Sequence, residues 1–235
     1  MKNNLELLKT ALKTGKNTQI KLLGDSITHG VGGSGFMQDG EPIVDGWARN
    51  PNGFCWAKLL KEDLESKYSC KVINNACTGT NIEFTLCHLD TLVDESDDFI
   101  FCTIGTNNRH QYFHEGEKKE RETLGKAFYE NLLKLNEELE NRGKKVIFMA
   151  NIPASVANEQ DGGDYWRILH MDDINAIYKH AQKRTGFTLI SLYDLLNEYI
   201  AENNLKLDEL LCDGLHPNDN GYKVMFEILS QKLKD

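Results

Sequence analysis

Four short segments of the chain carry residue types suited to acyl transfer. Gly24-Asp25-Ser26-Ile27-Thr28 offers a serine hydroxyl, a weak nucleophile until a base removes its proton. Asp213-Gly214-Leu215-His216-Pro217 offers that base, because an imidazole can take a proton at neutral pH and hand it on. Asp213, three residues before His216, can fix the ring's tautomer and stabilise the imidazolium. The charge that develops on an attacked carbonyl needs fixed donors, each worth roughly 2.7–4 kcal/mol. The backbone amides of Ser26 and Gly79 and the side-chain amide of Asn107 can supply them. Gly79 lies in Asn75-Ala76-Cys77-Thr78-Gly79-Thr80-Asn81, and Asn107 in Gly105-Thr106-Asn107-Asn108.

These segments act together only if the chain gathers them at one place. Apolar runs at Thr18 to Leu23, Lys71 to Asn74, Phe99 to Ile104, Lys145 to Ala150 and Phe187 to Ile190 read as strands. Phe99 to Ile104 is apolar almost throughout, as a strand buried on both faces requires. Between them lie helical patterns at Leu5 to Leu12, Phe54 to Tyr68, Glu83 to Leu92 and Glu120 to Asn141. A further one reaches roughly Arg184 after a loop at Asp161-Gly162-Gly163-Asp164, and the last spans Tyr222 to Leu233. Strands alternating with helices predict an α/β protein with a parallel sheet covered on both faces. The expected layout is a doubly wound, flavodoxin-like sheet of about five strands in one domain over residues 1–235. In such a sheet, functional groups gather at the carboxyl ends of the strands, where the four segments fall. Residues 30–53 are rich in glycine and read as one long loop.

The ordered set of segments resembles the sequence blocks of the SGNH hydrolases, also called GDSL-type esterases and lipases. Gly-Asp-Ser matches the first block at Ser26, Gly79 the second, Gly-Thr-Asn the third at Asn107, and Asp-Gly-Leu-His the last at Asp213 and His216. The resemblance implies a three-layer α/β/α fold, no cofactor, and ester or thioester hydrolysis through an acyl-enzyme. It implies Ser26, Asp213 and His216 as the catalytic residues. It further implies Ser26, Gly79 and Asn107 as the oxyanion hole. Two positions depart from the family pattern: Ile27 follows the serine where leucine is usual, and Asn108 stands where an aspartate is common. Short acyl esters, O-acetyl groups on a carbohydrate among them, are the expected substrates. Longer-chain lysophospholipase or thioesterase activity is the same-fold alternative, and a non-catalytic carbohydrate-binding protein the alternative from another class. Asn108, Arg109, Trp47 and Tyr112 lie beside the motif loops, Ile152 follows the fourth strand and should border the cleft, and all five are candidate substrate contacts.

Other patterns carry less. Gly30-Val31-Gly32-Gly33-Ser34-Gly35 has dinucleotide-loop spacing but no helix starts after it, so it reads as a flexible loop. His110 and His114 are four apart but lack the glutamate of a His-Glu-x-x-His zinc motif, so they read as a surface or pocket rim and no metal is expected. His29 follows Ser26 closely but has no acidic partner in a turn, which leaves His216 the better base. The six cysteines contain no Cys-x-x-Cys pair and read as reduced core residues. A net charge of −9 argues against nucleic acid as a partner. No segment has the length of a membrane span or the pattern of a signal peptide, which reads as a cytoplasmic chain. Oligomeric state is not legible.

Overall fold

The computed structural model describes residues 3–160 and 163–234. The first half runs α1 (Asn4–Lys13), β1 (Thr18–Gly24), α2 (Ser26–His29), β2 (Pro42–Val44), β3 (Trp47–Ala48), α3 (Trp56–Lys67), β4 (Cys70–Asn74), α4 (Ile82–Cys87), α5 (Leu89–Leu92) and β5 (Phe99–Thr103). The second half runs β6 (His110–Tyr112), α6 (Arg121–Asn141), β7 (Lys145–Ala150), α7 (Val156–Gln160), β8 (Tyr165–Arg167), α8 (Met171–Thr185), β9 (Thr188–Ser191), α9 (Leu192–Glu202) and α10 (Asp219–Lys234). Five strands pair in parallel in the order β4-β1-β5-β7-β9, with helices on both faces. This is the expected three-layer α/β/α, flavodoxin-like sheet.

Strand periodicity sorts the core into two layers. Side chains alternate across a sheet. Phe99 and Phe101 of β5 and Ile147 and Met149 of β7 therefore enter one layer, with Leu8, Trp56, Leu60, Leu196 and Met225. Ile100 and Cys102, with Val146, Phe148 and Ala150, enter the other, against Phe128, Leu132, Leu139, Ile174 and Tyr178. Lys21 of β1 breaks the apolar rule. Its ammonium is shut off from solvent but reaches Asp94 Oδ2 at 2.7 Å and Asp97 Oδ2 at 3.5 Å, which balances the buried charge.

The structure corrects several element readings. Residues 30–53 contain a two-stranded hairpin, β2 with β3, turned at Asp45-Gly46. Gly46 sits at φ 82°, the conformation that makes Asp-Gly a hairpin signal. The strands are too short to show a period. The helix expected from Glu83 to Leu92 is two helices, divided at His88, whose ring takes a hydrogen bond with Phe84 O at 2.9 Å. A short helix, α7, and a strand, β8, lie between β7 and α8, where a loop was expected; Asp161 and Gly162 of that loop lie outside the described residues. All six cysteines are unpaired, but only Cys55, Cys77 and Cys102 are buried, whereas Cys87 and Cys212 are exposed. Among the described residues no helix is long and apolar enough to cross a membrane.

One backbone turn decides where the third motif points. Gly105, just beyond β5, sits at φ 123°, and a Cβ there would lie 2.9 Å from both Phe128 and Ile174. Gly105→Ala should therefore cost roughly 1–3 kcal/mol through backbone strain and overpacking. Urea unfolding measures it, and an unchanged midpoint would refute the constraint.

Candidate active site

Close packing at the end of β1 forces the first turn. A Cβ on Gly24 would lie 2.5 Å from Thr28 Oγ1 and 2.8 Å from Thr103 O, so only glycine fits between the adjacent strands. Asp25 then caps α2, its Oδ1 accepting from Ile27 N at 3.0 Å. Ser26 stands at the first position of α2 with 7% of its surface exposed. The helix closes after one turn, because Gly30 at φ 109° and Val31 both donate backbone N–H to Ser26 O.

A separate turn carries His216. Asp213 Oδ1 accepts from Leu215 N at 2.9 Å and His216 N at 2.7 Å, which curls the chain until ring and carboxylate face each other. Cys212 N donates to His216 O, and Leu211 pairs with Pro217, closing the turn. Asp213 Oδ2 then lies 2.6 Å from His216 Nδ1, and His216 Nε2 lies 2.8 Å from Ser26 Oγ. With the ring proton on Nδ1, Nε2 is free to accept from the serine hydroxyl. Burial opposes ionisation of Asp213, but hydrogen bonds from His216 N, the imidazole and Leu215 N outweigh it and hold the carboxyl below its ordinary value.

Neighbouring loops lock this arrangement. Gly32, at φ 93°, passes so close to the base turn that a Cβ would lie 2.5 Å from Pro217 O and 3.1 Å from His216 Cβ. Ser34 N donates to Asp219 Oδ1 at 2.7 Å, and Tyr222 OH donates to Val31 O at 2.7 Å. The glycine-rich segment expected to be a flexible loop is thus a packed wall behind His216. On the other side Ser155 N donates to Gly214 O at 2.8 Å, which joins α7 to the base turn.

Gly79 and Asn107 reach the same end of the sheet. Cys77 N donates to Gly24 O at 3.0 Å, fixing the second motif loop against the first. Gly79 is exposed at φ 72°. Asn107 is half-buried and donates one amide N–H to Thr80 O at 2.7 Å, which leaves the other N–H unassigned. Sequence reasoning missed Asn151 as a site residue, although Asn-Ile-Pro at a strand end marked the place. Its Nδ2 lies 2.7 Å from Thr106 Oγ1 and 3.2 Å from Asp25 Oδ2, so it ties the ends of β1, β5 and β7 together. Asp25 is fully buried. Desolvation raises its pKa against the opposing hydrogen bonds from Thr106, Ile27 N and Asn151.

Several expected contacts have other work. Asn108 spends both amide ends internally, accepting from Ile82 N at 3.0 Å and donating to Glu83 at 2.8 Å, so it anchors α4. An aspartate there would lose the donor to Glu83 and set two carboxylates side by side. Arg109 and Ile152 were candidates for touching substrate. They are 0% and 1% exposed, so neither meets a solute in this conformation. The Arg109 guanidinium instead bonds Glu159 of α7 at 2.8 Å and, through Nε, Thr106 O at 3.0 Å. Trp47 is half-buried and donates its indole N–H to Thr78 O at 2.9 Å, which supports the loop that carries Gly79. Tyr112 is 41% exposed, on a ribbon beyond the site. His29 is buried and its ring packs edge-on to Phe36 at 5.6 Å.

Glu159 is the carboxylate paired with a guanidinium that has no access to water. Glu159→Ala should cost roughly 3–5 kcal/mol by leaving that charge unpaired, and Glu159→Gln, which still offers an acceptor, should cost less. Equal thermal midpoints for Glu159→Ala and the parent chain would show that Arg109 finds another partner.

The fold has solved counterparts. An acetylxylan esterase from Geobacillus stearothermophilus is 19% identical, with a TM-score of 0.69 over 95% of this chain and 97% of its own. A lipase/acylhydrolase from Enterococcus faecalis is 21% identical, with a TM-score of 0.65 over 92% of this chain and 95% of its own. An α/β hydrolase from the metagenome of Lake Arreo, Spain, is 18% identical, with a TM-score of 0.68 over 92% and 95%. No curated protein sequence matches the chain. Residues 22–224, which contain all four motifs, match the sequence profile of the GDSL-like lipase/acylhydrolase family, and the chain belongs to that family of hydrolases.

Proposed function

We propose that the chain is a serine esterase acting on short acyl esters, O-acetyl groups on carbohydrates foremost. The carrying observation is the continuous line from Asp213 through His216 to Ser26, at 2.6 and 2.8 Å. Ser26 Oγ attacks the ester carbonyl carbon while its proton passes to His216 Nε2. The carbonyl oxygen becomes an oxyanion, facing the backbone N–H groups of Ser26 and Gly79 and the spare amide N–H of Asn107. The intermediate collapses by breaking the bond to the alcohol oxygen, which takes the proton from His216, and the acyl group stays on Ser26. A water then gives a proton to His216 and its oxygen bonds the acyl carbon. Ser26 leaves with that proton, and the carboxylic acid departs. Asp213 keeps the imidazole oriented and balances its charge in both halves.

The acetylxylan esterase of the same fold supports this reading. Its catalytic mutants replace a serine, an aspartate and a histidine, with the last two three residues apart, as Asp213 and His216 are. That its ester sits on a carbohydrate supports the substrate class for this chain.

Two experiments test the proposal. Ser26→Ala should lower p-nitrophenyl acetate turnover by at least roughly a thousandfold while the protein stays folded; equal turnover would end the assignment. Asn107→Ala should lower kcat by about 10²–10³ with little change in KM, since its donor acts on charge that exists only in the transition state. A pure rise in KM would argue instead for a substrate-binding role. An acyl-length series decides the substrate class: preference for long chains over acetyl would favour the lysophospholipase or thioesterase alternative.

A further inference from the structure

The strands β6 and β8 leave the sheet just after the third motif and after α7, and pair with each other in antiparallel register. His110 faces Arg167, Gln111 faces Trp166, and Tyr112 faces Tyr165. Alternation puts His110, Tyr112, Tyr165 and Arg167 on one face, with Gln111 and Trp166 on the other. Gln111 shows which face is inner: it is 1% exposed and holds Glu117 O and Lys119 N by its side chain. The outer face is a row of rings. His110 lies on Tyr165 at 4.3 Å, Tyr165 meets Tyr112 edge-on at 5.9 Å, and Tyr112 stacks with His114 at 5.4 Å. Arg167 covers the Tyr165 ring at 5.0 Å and donates to its hydroxyl at 3.1 Å. Among the described residues Arg167 has no carboxylate partner; it is half-buried, and its Nε is shut off from solvent without a hydrogen-bond partner, which leaves its Nη end to meet a ligand.

This row is rooted at the active site. Ile168 N and Leu169 N both donate to Arg109 O at 2.9 Å. Asn107 and His110 are three residues apart across a 3-10 turn, hence roughly 6 Å along the chain at ~2 Å per residue. α7 stands between the ribbon and the base turn. It holds Arg109 through Glu159, its preceding Ser155 holds Gly214, and Val156 between them is 74% exposed.

We infer that the outer face of the β6–β8 ribbon is a glycan-binding platform that holds the sugar chain whose ester enters the site at Ser26. The inference rests on the esterase reading above and names where the alcohol part of the substrate lies. Rings with polar edges suit a ligand that has flat C–H faces and a rim of hydroxyls. A bare hydrocarbon chain would bury the Arg167 charge with no partner but the neutral Tyr165 hydroxyl. A protein partner needs about 800 Å² and 20–30 residues on each side, far more than this short ribbon presents. Arg167, lacking a carboxylate in the chain, is placed to take sugar hydroxyls or a uronic-acid carboxylate. Burial, followed by the charges of Arg167 and Arg109, pushes the His110 imidazole down to about 4, so His110 itself meets the ligand uncharged at neutral pH.

The test is calorimetric titration of Ser26→Ala, in the full chain, with unesterified neutral and uronic-acid-bearing oligosaccharides of increasing length. Affinity should rise with length. Adding Tyr112→Ala and Tyr165→Ala should weaken it about tenfold, the loss of two ring contacts. If that variant does not fold, Tyr112→Ser against Tyr112→Phe carries the test, and only the serine should weaken binding. Preference for uronic-acid chains that vanishes in Arg167→Gln would place the carboxylate at Arg167. No binding of any oligosaccharide, or equal affinity in the ring variants, would overturn the platform. Because binding is read without turnover, failure here is separate from failure of the esterase reading, which p-nitrophenyl acetate hydrolysis by the parent chain and Ser26→Ala decides.

Discussion

The hydrogen bond between Ser26 Oγ and His216 Nε2 joins residues 190 positions apart in the chain, and most local features of the structure serve its 2.8 Å length. Such a bond weakens steeply with distance and misalignment. Its two ends sit on unrelated turns, one leaving β1 and one preceding α10. Each turn must therefore be fixed separately, and the two must be fixed to each other. Asp25 and Gly24 do the first for Ser26. The bonds of Asp213 to two backbone N–H groups do it for His216. Gly32, Ser34 and Tyr222 do the second, by pressing the segment after α2 against the base turn and α10.

Buried polar groups form a second layer of constraint beneath the site. A polar group taken out of water costs free energy unless it finds partners, and it finds them only in one arrangement. Asn151 Nδ2, Thr106 and Asp25 bond to one another where three strands end, although Asn151 Oδ1 is buried without a partner among the described residues, so the strand ends cannot slide independently. Asn108 joins the third motif to α4 by using both halves of its amide. Arg109 joins the same motif to α7, and α7 touches the base turn. Asn108 and Arg109, the two residues after Asn107, thus hold the site from behind rather than lining it.

Glycine works at the site through absence of volume. Gly24, Gly32 and Gly105 each stand where a methyl group would overlap a neighbour by several tenths of an ångström or more. Gly33 is the extreme case, with Phe54 O 1.8 Å from the place a Cβ would take. In the sequence Gly30 to Gly35 looks like a pattern for flexibility or phosphate binding. In the fold the same residues let three backbone segments pass behind His216.

The sequence alone determined the layered α/β fold and the family. Each core strand is a short apolar run whose alternate side chains serve opposite layers, so its presence is written locally, and the five strands were legible to within a residue or two. The four motifs were legible because the residue types suited to nucleophile, base, carboxylate and donor roles have few chemical substitutes. What the sequence did not determine is which polar residues face outward. Asn108 and Arg109 sit beside the third motif in the chain and suggested substrate contacts, but burial depends on partners up to 50 residues away, such as Glu159. The β2–β3 hairpin and the β6–β8 ribbon were illegible as strands for a related reason. Two or three residues show no period, and their pairing is settled by segments that meet only once the sheet is built. Tertiary structure alone brought Asn151 to Asp25, Gly32 to Pro217, and the rings of β6 to those of β8, because hydrogen bonds and close contacts between distant segments exist only when the whole chain has closed around them.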